Sequence, residues 1–191
     1  MEMKLSSYRN SFFDSEETCK IATARCGNVI GGGDWSENRL IPDAINSIIK
    51  NKTIHIRNPN YNRPWQHVME PLYGYLILAK KLYNEPRIYS GPWNFGTKKN
   101  TVTNVLQIVK EIVKFWGKGK IKFKKKQKYY EQTNLQLNIN KALFKLKWKP
   151  KYSIIKSVQK TTEWYREVLT KRINVEKITA KQIKDYMNES K

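Results

Sequence analysis

A short β-prone run that leads into a glycine-rich loop constrains this chain more than any other feature. Residues 21–25 read IATAR, and GNVIGGGDW follows at residues 27–35. The first segment has the apolar and β-branched character of a buried strand, and the second has the composition of a loop. A strand that delivers the chain into such a loop is typical of α/β folds. The sequence therefore predicts an α/β architecture.

Helical periodicity appears on both sides of the loop. Leu5, Tyr8 and Phe12 recur at helical spacing and predict a helix over 2–13, which the polar run 14–17 ends. The strongest amphipathic pattern, residues 101–116, is followed by Gly117, a residue that commonly terminates helices. Further helices are predicted over 42–50 (with Ala44, Ile45, Ile48 and Ile49 on one face), 71–83, 140–147, 154–169 and 179–187.

Three further segments read as strands. Residues 53–57 alternate in polarity, and residues 93–96 form a short run that closes on glycine. The basic run 118–128 places Ile121 and Phe123 between lysines, so it predicts an edge strand whose Lys120, Lys122 and Lys124 face water. The alternative interpretation of this run is a nucleic-acid site, but no interleaved aromatic platform or helical basic stripe accompanies it.

The charge and the cysteine content limit the classes of function that this chain can have. Lys and Arg total 37 of the 191 residues against 16 Asp and Glu, an excess of +21 that would attract polyanions. This charge leaves open a non-catalytic, basic nucleic-acid-binding fragment, although we expect nucleic acid not to be the partner. Two cysteines, Cys19 and Cys26, are too few for a disulfide scaffold or a structural zinc site, and we expect no bound metal. Without an apolar span or signal segment, the chain is expected to be cytoplasmic and not membrane-bound.

A series of motifs then resembles a known family. These are RCGNVIGGGDW (25–35), RLIP (39–42), IRNPNYNRPWQHVMEPLYGYL (56–76), WNFG (93–96), KWKPKYS (147–153) and TTEWY (161–165). Together they resemble the extended short-chain dehydrogenase/reductases that act on nucleotide sugars, the NAD-dependent epimerase/dehydratase family. The triple glycine and the phrase RPWQHV resemble the CDP-glucose 4,6-dehydratase branch in particular. Another nucleotide-sugar epimerase or dehydratase of the family is the alternative.

The resemblance covers only part of the family pattern. The family begins with a Gly-x-x-Gly-x-x-Gly turn that binds NAD, and it carries a catalytic Tyr-x-x-x-Lys pair on the helix that precedes the 21–25 strand. The glycine turn does not occur in this sequence, and the resemblance places the tyrosine and the lysine just before Met1. The chain therefore resembles the C-terminal part of a Rossmann-type enzyme: one or two residual sheet strands and a small α/β substrate-binding domain. We expect a boundary between a nucleotide-binding remnant (1–35) and a nucleotide-sugar-binding domain (36–191).

In the complete enzyme the resemblance implies a hydro-lyase reaction. NAD accepts hydride from C4 of the sugar, water leaves across C5 and C6, and the hydride returns to C6. For this chain alone we expect no catalytic residues, no NAD binding and no activity. Its expected partners are CDP-glucose and either a separate N-terminal half or further copies of itself.

Five residues are candidates for contacting the substrate. Arg39 and Arg63 are candidates for the diphosphate, because a guanidinium donates paired hydrogen bonds to phosphate oxygens and keeps its charge. Resemblance places Asn28 opposite the substrate, where its amide can both donate and accept. Leu40 and Ile41 are expected to line the site ahead of a helix that starts at Pro42. The alternatives are solvated or ion-paired arginines and an asparagine that caps a turn.

Other residues receive structural interpretations or a cofactor role. By resemblance, Cys26 and Gly27 lie under the nicotinamide, with Cys26 a small buried residue rather than a nucleophile. Glycines 31–33 either bring the loop close to the ligand or form a plain flexible turn.

The imidazoles and indoles near the motifs are expected to be structural. His55 and His67 have no partner at metal-ligand spacing, and we expect neither to be catalytic. Trp65 and Trp93 lie close to the motifs of the substrate side, but we expect both in the core.

Overall fold

The computed structural model describes residues 2–13, 21–98, 103–123 and 136–189, which contain helices and short strands in alternation. The helices are α1 Glu2–Phe12, α2 Leu40–Ile49, α3 Met69–Asn84, α4 Pro86–Tyr89, α5 Val105–Trp116, α6 Asn140–Lys145, α7 Ile154–Thr170 and α8 Val175–Asn188. The strands are β1 Ala22–Cys26, β2 Asn28–Ile30, β3 Ile54–Ile56, β4 Asn62–Arg63, β5 Trp65–His67, β6 Gly91–Phe95, β7 Thr103–Asn104 and β8 Ile121–Phe123. The predicted α/β class is confirmed.

The strands pair two by two. β1 runs parallel to β6 from Ala22 opposite Gly91 to Cys26 opposite Phe95. β2 is parallel to β5 and β3 is parallel to β8, whereas β4 and β7 are antiparallel. Parallel pairs need crossovers, and helices supply them between β1 and β6, and between β3 and β8.

Local sequence signals account for the ends of the longer helices. The side chain of Asn104 caps α5 by accepting a 2.8 Å hydrogen bond from the backbone N–H of Gln107. Gly117 ends the same helix in the left-handed conformation at φ 92°. Ser153 and Asn174 cap α7 and α8 in the same way as Asn104.

The larger core lies beneath α2, α5 and α7. Ile45 and Ile48 of α2 meet Ile108 and Ile112 of α5, and all four side chains are buried. Tyr165 of α7 is fully buried in the same cluster. The apolar face that the sequence predicts for α5 is therefore the face that α2 and α7 cover. This core supports one wall of the cleft described below.

A second core joins α3, β6 and α6. Phe95 meets the Trp148 ring edge to face with centroids 5.0 Å apart, and Trp93 is buried beside them. Gly74 of α3 makes this packing possible, because a Cβ at that position would lie 2.3 Å from the Phe95 ring. The expected core positions of Trp93 and Trp65 are confirmed by their burial.

Two apolar residues face water against expectation. Ile49 is 41% exposed because α2 ends there and turns its last residue away from α5. Phe123 is 61% exposed, so β8 buries neither of its last two residues, although Lys120 and Lys122 face water as predicted. Lys124 and the remainder of the 118–128 run lie outside the described residues.

Helix α1 packs on β1 through polar contacts. Glu2 accepts a hydrogen bond from Thr23 at 2.8 Å and forms an ion pair with Arg25 at 3.2 Å. Tyr8 and Phe12 remain exposed, and no residue of α1 is fully buried. Residues 14–17, Cys19 and residues 101–102, which entered the predictions, lie outside the described residues. No helix in the described part of the chain is long and apolar enough to cross a membrane.

Candidate functional site

A cleft of about 1220 Å³ opens beside α2. Its walls come from α2, from β2 and β3, and from the segment that carries β4 and β5. All five residues predicted to contact substrate line this cleft, although they come from different elements: Asn28, Arg39, Leu40, Ile41 and Arg63. Ligand pockets commonly span about 300–1,000 Å³, so the cleft is large enough for a molecule of several linked parts.

Arg39 stands at the N-terminus of α2. Its guanidinium donates to a carboxylate oxygen of Asp34 at 3.2 Å, and its side chain is 65% exposed. Although burial opposes ionisation, hydrogen bonds from Ser36 and Arg39 hold the pKa of Asp34 below its ordinary value. The hydroxyl of Tyr165 in turn donates to the backbone carbonyl of Asp34 at 2.5 Å. The arginine is thus held at the rim by a loop that α7 anchors.

Arg63 lies on β4, between the cleft and the antiparallel partner strand. Its guanidinium donates to the backbone carbonyl of Asn62 at 2.9 Å and lies 5.3 Å from the centre of the Tyr61 ring. In register, Arg63 is opposite Thr103 of β7. The ring contact helps to orient the guanidinium beside the cleft.

Asn28 and the first turn of α2 complete the predicted set. Asn28 begins β2, is half-buried and lies opposite Trp65 of β5. The helix begins at Leu40 rather than at Pro42 as predicted, because the backbone of Arg39 already occupies the N-cap position. Ile41 is therefore buried in the core while still lining the cleft, and Leu40 is half-buried.

The glycines of the loop serve packing against the protein itself. A Cβ at Gly32 would lie 2.0 Å from the indole of Trp164, and a Cβ at Gly31 would lie 2.8 Å from the Val68 side chain. Only Gly33 of the three has a positive φ, at 86°. The idea of a plain flexible turn is wrong, because the loop is pressed onto α7 and onto the residue before α3.

The two residues predicted to underlie a nicotinamide lie apart from this cleft. Cys26 is exposed, so the expectation of a buried cysteine is wrong: β1 turns its last three residues outward. Burial, together with the Cys26 thiol, raises the pKa of the Tyr75 hydroxyl. Gly27 has no room for a side chain, because a Cβ there would lie 2.7 Å from the carbonyl oxygen of Pro64.

Strand β5 supplies buried polar residues that sequence reasoning treated as structural or did not consider. His67 is buried against the Tyr152 ring, and this burial, with the nearby Lys160 charge, lowers its pKa to about 4. Gln66 donates to the backbone carbonyl of Phe95 at 3.0 Å. Neither residue lines the cleft, which agrees with the structural role predicted for His67.

Four cleft residues that sequence reasoning did not assign to the site lie within β3 and in the segment that follows it. They are His55, Arg57, Asn58 and Tyr61. The sequence signal for His55 and Arg57 is the alternation of the 53–57 segment. Strand β3 buries Ile54 and Ile56 and exposes His55 between them.

Comparison with known proteins yields one curated relative and a group of structural neighbours. The chain is 35% identical over 192 aligned residues to the CDP-glucose 4,6-dehydratase of Salmonella typhimurium, covering 98% of this chain and 53% of the relative. The chain thus spans about half the length of the curated relative it matches, consistent with the C-terminal part expected from its motifs. No protein-family model matches it.

Solved structures agree on the fold. The dTDP-glucose 4,6-dehydratase of Bacillus anthracis, determined with NAD, superposes with a TM-score of 0.67 at 20% identity, over 88% of this chain and 49% of the neighbour. The UDP-glucose 4-epimerase of Thermotoga maritima, determined with UDP-glucose, superposes with a TM-score of 0.70 at 22% identity, over 88% and 51% of the two chains. The fold is that of Rossmann-type nucleotide-sugar epimerases and dehydratases.

Proposed function

We propose that this chain binds the nucleotide-sugar substrate of a 4,6-dehydratase. The premise is that it is related in sequence to CDP-glucose 4,6-dehydratase and in fold to the nucleotide-sugar epimerases and dehydratases. The observation that carries the proposal is that the five residues predicted from the motif resemblance lie on three separate segments and line one cleft. The substrate of this site is CDP-glucose, the molecule in the name of the curated relative.

The chemistry of the cleft suits a sugar nucleotide. Arg39 and Arg63 supply fixed positive charge for a diphosphate, because neither guanidinium can lose its proton near neutral pH. Asn28 offers an amide to sugar hydroxyls or phosphate oxygens. Leu40 and Ile41 provide an apolar surface that excludes water from the polar contacts.

Arg63 is the stronger of the two arginines in this proposal. Arg39 is largely exposed and already shares its charge with Asp34, so part of its attraction for a phosphate is cancelled. Arg63 lies on a strand, is half-buried and is held against the Tyr61 ring. A buried cation loses less of its attraction to solvent screening than an exposed one.

The residues present do not make an NAD site by themselves. When bound in a complete enzyme, NAD supplies the hydride acceptor for the sugar. Here Cys26 contributes an exposed thiol and Gly27 a backbone packed on Pro64, and in the described residues no glycine-rich turn of the pyrophosphate-binding pattern accompanies them. In this proposal, dehydration requires a nucleotide-binding part that this sequence does not include, and the purified chain alone neither binds NAD nor turns over CDP-glucose.

That nucleotide-binding part would dock on α1 and β1. Strand β1 pairs with β6 on one side, and parallel strands are usually covered on both faces and along their edges. The residues Ala24, Arg25 and Cys26 of β1 are exposed, as are Tyr8 and Phe12 of α1. An N-terminal half supplied as a separate chain would cover this surface, and in its absence a second copy of this chain would cover it.

Calorimetry with CDP-glucose tests the proposed function. A charge-assisted hydrogen bond contributes about 1.5–3 kcal/mol, so Arg63→Ala should weaken binding by roughly ten- to a hundredfold. The matched control is Lys120→Ala, which removes the same charge from an exposed position outside the cleft and should change affinity less than about twofold. Equal losses in the two variants would show that only the general positive field attracts the ligand.

The second candidate function is non-specific binding of nucleic acid, which the excess charge of +21 favours. It predicts retention on DNA or RNA that falls steeply with salt and is indifferent to Arg63. Protection of the chain by CDP-glucose, at a salt concentration that abolishes nucleic-acid binding, would exclude it as the main function.

A further inference from the structure

The loop that carries Asp34 is held against α7 by two adjacent residues. Trp164 packs on the glycines of the loop, where a Cβ at Gly32 would lie 2.0 Å from the indole. The Tyr165 hydroxyl donates to the backbone carbonyl of Asp34 at 2.5 Å. Neither aromatic side chain lines the cleft, but the loop that they hold does.

Both aromatic side chains are fixed by neighbours of their own. The Trp164 indole N–H donates to the Thr179 hydroxyl of α8 at 3.0 Å, and the Trp164 and Tyr165 rings meet edge to face. Tyr165 is fully buried. Burial and the charge of Asp34 raise the pKa of Tyr165 to about 12, so its hydroxyl stays protonated near neutral pH. The hydroxyl therefore donates to the loop from a fixed position.

Asp34 passes this position on to Arg39. Its carboxylate accepts from the backbone N–H of Ser36 at 3.0 Å and from the Arg39 guanidinium at 3.2 Å. In the described part of the chain, the side chain of Arg39 makes no other hydrogen bond or ion pair. A free, exposed arginine occupies many rotamers. The orientation of Arg39 therefore depends on where Tyr165 holds Asp34.

The Asp34 carboxylate carries a cost for an anionic ligand. A negative charge beside the guanidinium cancels part of its attraction for a phosphate. A guanidinium that is already held in one orientation, however, loses less conformational freedom when the phosphate binds. The contact with Asp34 thus exchanges some attraction for a prepared orientation.

We propose that Tyr165 is a positioning residue for the substrate: its hydroxyl, through Asp34, holds Arg39 in the orientation in which the guanidinium meets the diphosphate. This inference rests on the proposed function and adds to it a residue of α7 that lies outside the cleft. Removal of the hydroxyl should weaken binding by about two- to tenfold, the range that follows from freeing one side chain with many rotamers.

A double-mutant cycle tests the proposal. Calorimetry measures the affinity of the full chain for CDP-glucose in the wild type, in Tyr165→Phe, in Arg39→Ala and in the double variant. Phenylalanine keeps the ring against Trp35 and Trp164 and removes only the hydroxyl. Tyr165→Phe should weaken binding when Arg39 is present. In the Arg39→Ala background the same change should alter affinity by less than about 1.5-fold, because no guanidinium is left to position.

Tyr89→Phe is the matched control. Tyr89 is also buried, and its hydroxyl donates to the backbone carbonyl of Lys145 at 3.3 Å in the second core. The variant loses the same kind of hydrogen bond but shares no partner with Arg39, so its affinity for CDP-glucose should stay within about 1.5-fold of the wild type. Circular dichroism spectra that match the wild type would show that each variant is folded.

Asp34→Ala gives a second test at a partly exposed side chain. It frees Arg39 and also removes a negative charge from the rim of the cleft. Because orientation outweighs charge in this proposal, the variant should bind CDP-glucose about two- to tenfold more weakly than the wild type. Tighter binding would show that Asp34 only cancels charge, and it would overturn the role of Tyr165.

The outcomes separate the two proposals. An equal effect of Tyr165→Phe with and without Arg39, or no effect in either background, would overturn the positioning role and leave the proposed function standing. Failure of the wild-type chain to bind CDP-glucose would overturn both.

Discussion

Replacing Glu70 should destabilise the chain more than replacing any exposed glutamate. Glu70 lies in the first turn of α3 and is 0% exposed. Its carboxylate accepts hydrogen bonds from the backbone N–H groups of Lys151 at 3.0 Å and Tyr152 at 2.7 Å, and from the Tyr186 hydroxyl at 2.8 Å. Its backbone carbonyl accepts from the Trp148 indole at 3.2 Å. One residue therefore joins α3 to the segment before α7 and to α8.

The size of the stability loss follows from the three donors that the Glu70 carboxylate satisfies. Hydrogen bonds to a charged group contribute about 1.5–3 kcal/mol each, and they do not add fully when they share one acceptor. Burial raises the pKa of Glu70 while these hydrogen bonds oppose the shift, so part of their energy offsets the desolvation of the carboxylate. We expect Glu70→Gln to cost about 2–3 kcal/mol, since the amide keeps one acceptor and turns a donor toward the remaining N–H or O–H groups. Glu70→Ala should cost more, about 3–5 kcal/mol.

Urea unfolding followed by tryptophan fluorescence measures the free energy of unfolding of the wild type and of each variant. The control is Glu85→Gln, the same chemical change at a partly exposed glutamate that pairs with Lys81 on the surface, and it should cost less than about 0.5 kcal/mol. Tyr186→Phe removes one of the three donors. Combined with Glu70→Gln, it should cost less than the sum of the single variants, because both remove the same hydrogen bond. A cost for Glu70→Gln no larger than that for Glu85→Gln would refute the reasoning.

Three further predictions concern packing, pH and association. Gly32→Ala should lower the free energy of unfolding by about 2–3 kcal/mol, because its Cβ would lie 2.0 Å from an indole of α7. Gly117→Ala has open space around its Cβ but a φ of 92°, and it should cost only about 1 kcal/mol. Thermal melts of the two variants measure the difference. His67 has a pKa lowered from 6.5 to about 4 by burial, so the unfolded chain binds its proton more tightly and stability should fall as pH drops through that range. The loss should reach about 3 kcal/mol and be absent in His67→Phe, as urea titrations at several pH values would show. Exposed Tyr8 and Phe12 should promote self-association of the isolated chain, and replacing both with Ser should shift sedimentation toward monomer; an unchanged, monomeric wild type would contradict this.

Much of the secondary structure was predictable from local pattern. The 3.6-residue periodicity of α5 and the glycine after it predict both the helix and the face that it buries, because an amphipathic stripe must be covered by other apolar groups. The strand at β1 was predictable from its β-prone composition. The alternation at β3 was predictable because a period of two sorts side chains between core and solvent. The resemblance in the motifs also indicated which residues to examine as candidates for the site.

The interpretation of individual residues depended on contacts between distant segments. Three adjacent glycines have the same local signature whether they approach a ligand or a protein side chain, and only the position of Trp164 shows that Gly32 meets an indole. The exposure of Cys26 and Phe123 likewise depends on which neighbours cover each strand, a quantity that the alternation of the sequence does not contain.

The sequence by itself determined the class of fold and the helix faces, because these depend on side-chain chemistry and on spacing along the chain. The resemblance of its motifs indicated which residues are candidates for binding a phosphorylated sugar. The tertiary structure decided that Asn28, Arg39 and Arg63 share one cleft with the outward face of β3. This arrangement depends on the crossovers that bring β2, β3 and β4 beside α2. Chain segments separated by tens of residues become neighbours only when the packing of two apolar cores fixes their relative positions.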